Sequence, residues 1–230
     1  VKKSNFFIDL IMNKNPQKSI FLKSEGDNWF NRNKVSIEKN EKNILDIFLR
    51  FINSKDKILE IGCSDGNNLN YLFNKLPNHK LELYGIDPSK KSIKSGKHSY
   101  KNFNLKVGTS DKLEFDNKFF DIVICGFFLY LVDRDLLFKT VSEIDRVLKE
   151  DGFLVLVDFD VPFPLSNNYT HYKGIKSYKN DYSKFFTGGG HYTIVGKKQY
   201  CHEDEQSFNK TIQERISTTI LYKEKIKNIY

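Results

Sequence analysis

Two short segments place glycines and carboxylates where a nucleoside could be held. In Ile58-Leu59-Glu60-Ile61-Gly62-Cys63-Ser64-Asp65-Gly66-Asn67 an apolar run ends in a glycine-bearing turn that opens a helical pattern. Glycine lets a backbone turn sharply and approach a ligand closely. Asp87 closes the next apolar run, LELYGID, 25 positions after Gly62. A carboxylate at that point can accept hydrogen bonds from both hydroxyls of a ribose.

The same residues separate two kinds of cofactor. A dinucleotide site calls for G-x-G-x-x-G, with a pyrophosphate resting on the helix N-terminus. Here the pattern is E-x-G-x-x-x-G, and Asp65 beside the turn would repel a pyrophosphate. An acidic loop suits a sulfonium cofactor that carries a cationic amino group.

The elements that must hold these residues alternate. Residues 41–53 carry a helical apolar face, and KILEIG reads as a buried strand. NNLNYLFNKL reads as a helix, LELYGID as a second strand, KKSIKSGKHSY as a short helix and FNLKVGTS as a third strand. FFDIVICGFFLYLV is a fourth strand, followed by the helix DRDLLFKTVSEIDRVLKEDG with Gly152 as its C-cap. FLVLVDFD is a fifth strand. Strand and helix in turn predict parallel βαβ units, and continuous apolar strands predict a sheet covered on both faces.

The ends differ from this middle. Residues 1–40 are polar and read as an irregular arm or lid. Residues 41–230 read as one domain, with a substrate-loop insert at about 161–190 that is rich in Pro, Gly, Asn and Tyr. HYTIVGKKQYC and RISTTILYKEK then predict a C-terminal hairpin.

Four motifs in order, LEIGCSDG, YGIDPS, VGTSDKLEF and FDIVICGFFLYLVD, with RVLKEDGFLVL after the last, resemble the class I S-adenosylmethionine-dependent methyltransferases of the type 11 kind. The resemblance covers roughly residues 55–160. It implies a Rossmann-like α/β fold: a seven-stranded, mostly parallel sheet, helices on both faces and a C-terminal antiparallel hairpin. It also implies S-adenosyl-L-methionine as cofactor. Gly62, Cys63, Ser64 and Gly66 would shape the methionine pocket, and Glu60 would orient the loop and the amino group. Asp87 would bind the ribose, with Pro88 and Ser89 beside the adenine. Thr109 and Ser110 would border the adenine edge. Cys125 would offer its carbonyl to the ammonium, with Phe127 and Tyr130 on the floor. The chain departs from the family at Ser64, where many relatives have glycine. Thr109 replaces an aspartate, and Glu114 replaces the proline of a Leu-Pro-Phe element.

GDNWFNRN, residues 26–33, resembles the N-terminal segment of methyltransferases encoded with surface-polysaccharide and nonulosonic-acid pathways. That resemblance implies that Trp29, Phe30, Arg32 and Asn33 fold over the cofactor.

Methyl transfer from a sulfonium already has a good leaving group, so positioning carries much of the catalysis. A hydroxyl or amine acceptor can still need a base. His171, His191 and Tyr172 are the catalytic candidates, with Asp158 and Asp160 at the end of the fifth strand. His171 is favoured because its ordinary pKa suits a base near neutrality. The insert's Tyr169, Tyr172, Tyr178 and Tyr182, with Asn167 and Asn168, suit a small polar acceptor such as a sugar or nucleotide-sugar. RNA or protein methylation and a non-catalytic cofactor-binding module are the alternatives. CGFF follows the fourth strand where an N-P-P-Y motif for amino methylation would stand.

Composition bounds the rest. The formal net charge is +8, but the lysines are spread along the chain and Arg occurs at only five positions. The basic balance is accounted for by AT-rich coding, and no nucleic-acid partner is predicted from it. No apolar run approaches the ~20 residues that a membrane span needs, and no membrane partner is expected. Three cysteines without a CxxC pair predict no disulfide framework, no metal site and a cytoplasmic location. The HEDE segment at His202 is read as solvated. No signal peptide is read at the N-terminus, and Val1 is not an initiator Met, so residues upstream are expected.

Overall fold

The computed structural model describes residues 16–39, 44–201, 208 and 210–225. Among the described residues there are nine strands: β1 (Lys57–Ile61), β2 (Glu82–Asp87), β3 (Asn104–Val107), β4 (Phe120–Gly126), β5 (Leu148–Phe159), β6 (Leu165–Asn168), β7 (Lys176–Lys179), β8 (Tyr192–Cys201) and β9 (Arg215–Lys223). Seven of them form one sheet in the order β3-β2-β1-β4-β5-β9-β8. The first five run parallel, while β9 and β8 are antiparallel. This is the predicted α/β architecture with its C-terminal hairpin.

The apolar strands are apolar because the sheet is covered twice. Leu59, Ile61, Val123 and Cys125 enter one core with Leu137, Ile144 and Val147 of the helix before β5. Their sequence neighbours Ile58, Ile122 and Ile124 enter a second core with Leu69, Leu72, Ile93 and Phe48. Alternate residues therefore bury on opposite faces, as the strand period of two requires.

The helices are α1 (Pro16–Ile20) and α2 (Gly26–Lys39), joined by a π-helical stretch at Phe21–Glu25, then α3 (Asn67–Lys75), α4 (Lys90–Ser99), α5 (Leu137–Val147) and α6 (Lys184–Thr187). Three expectations are corrected here. The arm is helical from Pro16 to Lys39 rather than irregular. The segment at 41–53 supplies a 3-10 turn, Asp46–Phe51, with Phe48 buried, while 41–43 fall outside the described residues. Gly152 does not cap α5. That helix stops at Val147, where Lys118 N–H and Phe119 N–H take the last carbonyls, of Arg146 and Val147, at 2.8 and 2.9 Å. Gly152 lies inside β5, where a Cβ would meet Asp121 O at 2.8 Å.

The insert is also more ordered than its composition predicts. β6 and β7 form an antiparallel hairpin, and Tyr169 and Ile175 pack on Ile20 of the arm. The parallel order reverses between β1 and β4, so their carboxyl ends open a crevice, the usual ligand position in open α/β sheets.

Candidate functional site

The crevice floor is built by close backbone approach. Gly62, Ser64 and Gly66 all have positive φ, at 75°, 50° and 87°. Gly62 and Cys63 N–H both donate to Ile86 O, which ties the turn to β2. Across the crevice, a Cβ on Gly126 would lie 2.8 Å from Glu60 Oε1 and 3.0 Å from Gly62 O, so only glycine fits. Glu60 is fully buried. Its Oε1 accepts from Asn68 Nδ2 at 2.7 Å, whereas Oε2 has no partner. Burial, reinforced by the charges of Asp87 and Asp65, pushes the Glu60 carboxyl up to about 8.

Asp87 is clasped by its surroundings. Oδ2 accepts from Ser64 N–H at 3.0 Å, and Oδ1 accepts from Ser89 N–H at 2.8 Å and Ser92 Oγ at 3.4 Å. Burial outweighs these bonds and raises its pKa to about 6. Ser89 caps α4 through Ser92 N–H and donates its own hydroxyl to Asp27 of α2 at 2.7 Å.

Above this floor lies a cavity of about 860 Å3, open mouth included. Ile61, Gly62, Asp87 and Pro88 line one wall, and Gly108 to Asp111 line the next. Gly126 to Phe128, with Leu131 to Asp133, line the third. Phe21, Gly26 and Trp29 of the arm roof it. The turn at 108–113 is held from behind by α5. Arg146 donates to Leu113 O and Phe115 O, Glu143 accepts from Leu113 N–H, and the Ser110 and Thr140 hydroxyls meet at 3.0 Å.

The arm is bolted down at its first turn. Asp133 accepts from Gln17 N–H and Lys18 N–H at 3.1 and 2.8 Å, so a distant carboxylate serves the unsatisfied end of α1. Lys18 Nζ pairs with Asp111 at 2.6 Å. Gln17 donates to Leu131 O and accepts from Lys176 N–H of β7. Further along, buried Glu25 accepts from Arg32 and from the Tyr169 hydroxyl.

Residues 59–156 match the family model described as a methyltransferase domain. Over those residues the chain is similar to a methyltransferase domain, and its sheet has the fold of the class I methyltransferases. A carboxy-S-adenosyl-L-methionine synthase of Nautilia profundicola is 30% identical over 132 residues, 56% of each chain. A ubiquinone/menaquinone biosynthesis C-methyltransferase of Citrifermentans bemidjiense is 26% identical over 54% of this chain and 55% of its own. The chain thus spans about half the length of the curated relatives it matches. Among solved structures, a SAM-dependent methyltransferase of Methanosarcina mazei superposes with TM-score 0.64, 18% identity and coverage of 80% of this chain and 99% of its own. The 1,6-didemethyltoxoflavin-N1-methyltransferase of Burkholderia thailandensis, solved with S-adenosylhomocysteine, gives TM-score 0.68 at 11% identity, covering 91% of each chain. At such identities these two establish the fold alone.

The crevice gathers many of the residues expected at the site. Trp29, Gly62, Asp87, Pro88, Thr109, Ser110 and Phe127 line the cavity, and Glu60 lies behind its rim. Cys63, Ser64 and Gly66 shape the turn without lining it; the Cys63 thiol packs where a Cβ on Gly85 would come within 2.7 Å. Ser89 acts through its cap. Cys125 is in the core with its carbonyl accepting from Phe127 N–H, and Tyr130 is buried against Phe127 and Phe159.

Other expected residues are placed elsewhere. Phe30, Arg32 and Asn33 belong to the arm but do not line the cavity: Phe30 is buried, Arg32 turns to Glu25 and Tyr169, and Asn33 donates to Trp29 O. Tyr172 packs in the small core of Ile20, Tyr169 and Ile175. His171 is exposed and meets the Tyr169 ring edge-on at 5.3 Å. His191 is at the wrong end of the sheet. It precedes Thr193, which pairs with Tyr222 and through it with Phe153, whereas the cavity edge is at Gly126 and Val157. Four residues of strand, roughly 13 Å, separate those levels. Asp158 is buried under the backbone N–H groups of Phe159 and Tyr130, and burial raises its pKa to about 7. Asp160 is paired with Lys197 at 2.8 Å. His202 lies outside the described residues.

Sequence reading missed Gln17, Lys18, Glu25, Asp111 and Asp133. Each works through a partner roughly 90 to 160 positions away, such as Asp111 for Lys18 and Lys176 for Gln17. No local spacing signals such a pair.

Proposed function

We propose that the protein binds S-adenosyl-L-methionine beneath its N-terminal arm and directs methyl transfer to a small polar acceptor, a sugar or nucleotide-sugar being the favoured class. Glu60 carries this reading. A fully buried carboxylate oxygen without a partner, in a pocket shared with Asp87 and Asp65, calls for a cationic donor. The ammonium of an amino-acid cofactor is such a donor, and Gly62 and Gly126 put no side chain of their own at the place it would occupy. Asp87 offers carboxylate oxygens to a ribose, and the 108–111 turn borders a base.

When bound, the cofactor supplies a methyl group on a sulfonium, an electrophile that needs no acid to leave. This chain's part is to bind, orient and exclude water. Trp29 and Phe21 roof the cavity, and Phe127, Tyr130 and Phe159 form an aromatic cluster at the carboxyl ends of β4 and β5. His171 is the base we favour, because it rides on Tyr169 in the insert that meets the arm. An acceptor enclosed by arm and insert must be small unless both open. The polysaccharide and nonulosonic-acid connection remains part of this proposal and rests on the GDNWFNRN segment.

A thermal-shift titration tests the cofactor. S-adenosylmethionine and S-adenosylhomocysteine should raise the melting temperature and NAD should not. A shift with NAD alone would defeat the reading. Methyl transfer to a panel of sugars and nucleotide-sugars, with tRNA and a protein extract alongside, tests the acceptor.

A further inference from the structure

The stretch between Asp87 and Asp111 contains six lysines and no acidic residue. Within it, Lys90, Lys94, Lys97 and Lys101 are spaced by four, three and four residues, which aligns them along one side of α4 and its end. All four are exposed, and none makes an ion pair among the described residues. The opposite side of α4, Ser92, Ile93 and Gly96, is buried on the sheet. The backbones of Lys90 and Lys91 both bond to Asp27, and the Lys91 charge also acts on that carboxylate.

The first turn of α4 holds Lys90 and Lys91 and no acid, although a helix N-terminus disfavours cations. Asp27 of α2 answers this end of the helix, while Lys94, Lys97 and Lys101 further along have no anion paired with them among the described residues.

The chemistry around the stripe selects among anions. Lysine is a hydrated point charge without the fork that arginine offers to a phosphate. The nearby ring of Tyr100 is stacked on Phe103 at 5.0 Å, which leaves the His98 imidazole as the exposed ring beside the stripe. An apolar side chain is present as well. On the edge strand β3, Leu105 reaches toward Gly96 of α4, and Val107, two residues on and 44% exposed, faces the same side.

We propose that the α4 face, with Lys90, Lys94, Lys97 and Lys101 beside Val107, docks the protein peripherally on an anionic phospholipid surface. Lysine clusters on a surface helix gain attraction from each charge near such a membrane, and nothing needs to cross the bilayer. The proposal is independent of the acceptor and of the cofactor.

Co-sedimentation of the full chain with vesicles tests it. Binding should appear with phosphatidylcholine vesicles containing phosphatidylserine, be absent with phosphatidylcholine alone, and fall as salt shortens the screening length. The triple variant Lys90→Glu, Lys94→Glu, Lys97→Glu should weaken binding by about 100-fold or more. Its melting temperature and its shift with S-adenosylhomocysteine should stay unchanged. A control with the same charge change elsewhere, Lys75→Glu, Lys80→Glu, Lys139→Glu, should keep most of the binding. If the triple variant does not fold, the Lys→Gln triple takes its place. Equal loss in the control, no preference for phosphatidylserine, or binding to tRNA at concentrations where vesicles are not bound would each overturn the proposal.

Discussion

Ser64 donates its backbone N–H to Asp87 Oδ2 at 3.0 Å, so the turn after β1 and the carboxylate ending β2 are one rigid unit. Ser64 holds a positive φ to do this, at 50°, a cost that the bond to a buried carboxylate offsets. The two halves of the site therefore cannot be altered independently.

Replacing Asp87 should cost both stability and cofactor. Asp87→Ala strands the N–H groups of Ser64 and Ser89, a loss of about 1–3 kcal/mol. Urea denaturation should show it, and calorimetry should show S-adenosylhomocysteine binding reduced to background. Retained binding would remove the ribose role.

Stability without cofactor should fall as pH rises. Burial holds the folded-state pKa of Asp87 at about 6, Asp158 at about 7 and Glu60 at about 8, all above their unfolded values near 4. The folded state binds these protons more tightly, so the contribution is complete below pH ~4 and disappears as pH climbs through 6 to 8, by up to ~1.4 kcal/mol per pH unit for each group. The melting temperature should be higher at pH 5 than at pH 8. Glu60→Gln should flatten the upper part of that profile.

Loosening the arm should speed cofactor release. Gln17→Ala leaves Leu131 O and Lys176 N–H without their partner, and about 1–3 kcal/mol of arm docking is lost. Stopped-flow dissociation of S-adenosylhomocysteine should quicken by roughly tenfold or more. Protease cleavage should rise within 16–39 while the sheet stays intact. An unchanged dissociation rate would show that the arm does not control exit.

The two histidines should behave differently. His171→Ala is expected to cut turnover with little change in cofactor affinity. His191→Ala should change neither, because it stands at the other end of the sheet. Equal effects of both would refute the assignment of His171.

Glu25 and Arg32 should be coupled. Removing Glu25 leaves Arg32 and the Tyr169 hydroxyl without an acceptor they share, so Glu25→Gln, Arg32→Ala and the double variant should be non-additive by about 0.5–3 kcal/mol. Additive losses would mean that the two side chains do not act as a pair.

The strands themselves, the glycine turn and the Asp87 position were legible in the chain because their signals are local. A strand buried on both faces must be apolar throughout, and a turn with φ of 75° and 87° at Gly62 and Gly66 must carry residues that tolerate it. The arm was not legible as a helix, since its polar outer face hides a stripe that is buried only once Ile20 finds Tyr169 and Ile175. Nor could the helix end before Gly152 be read, because its capping groups come from Lys118 and Phe119. That His191 stands at the far end of the sheet from the cavity depended on antiparallel register, a property of three strands together. Local chemistry determined what the chain can bind. Long-range pairing, seen in Gln17 with Lys176 and Asp133 with Lys18, decided how that site is closed, because a hydrogen bond between distant residues leaves no period in the sequence.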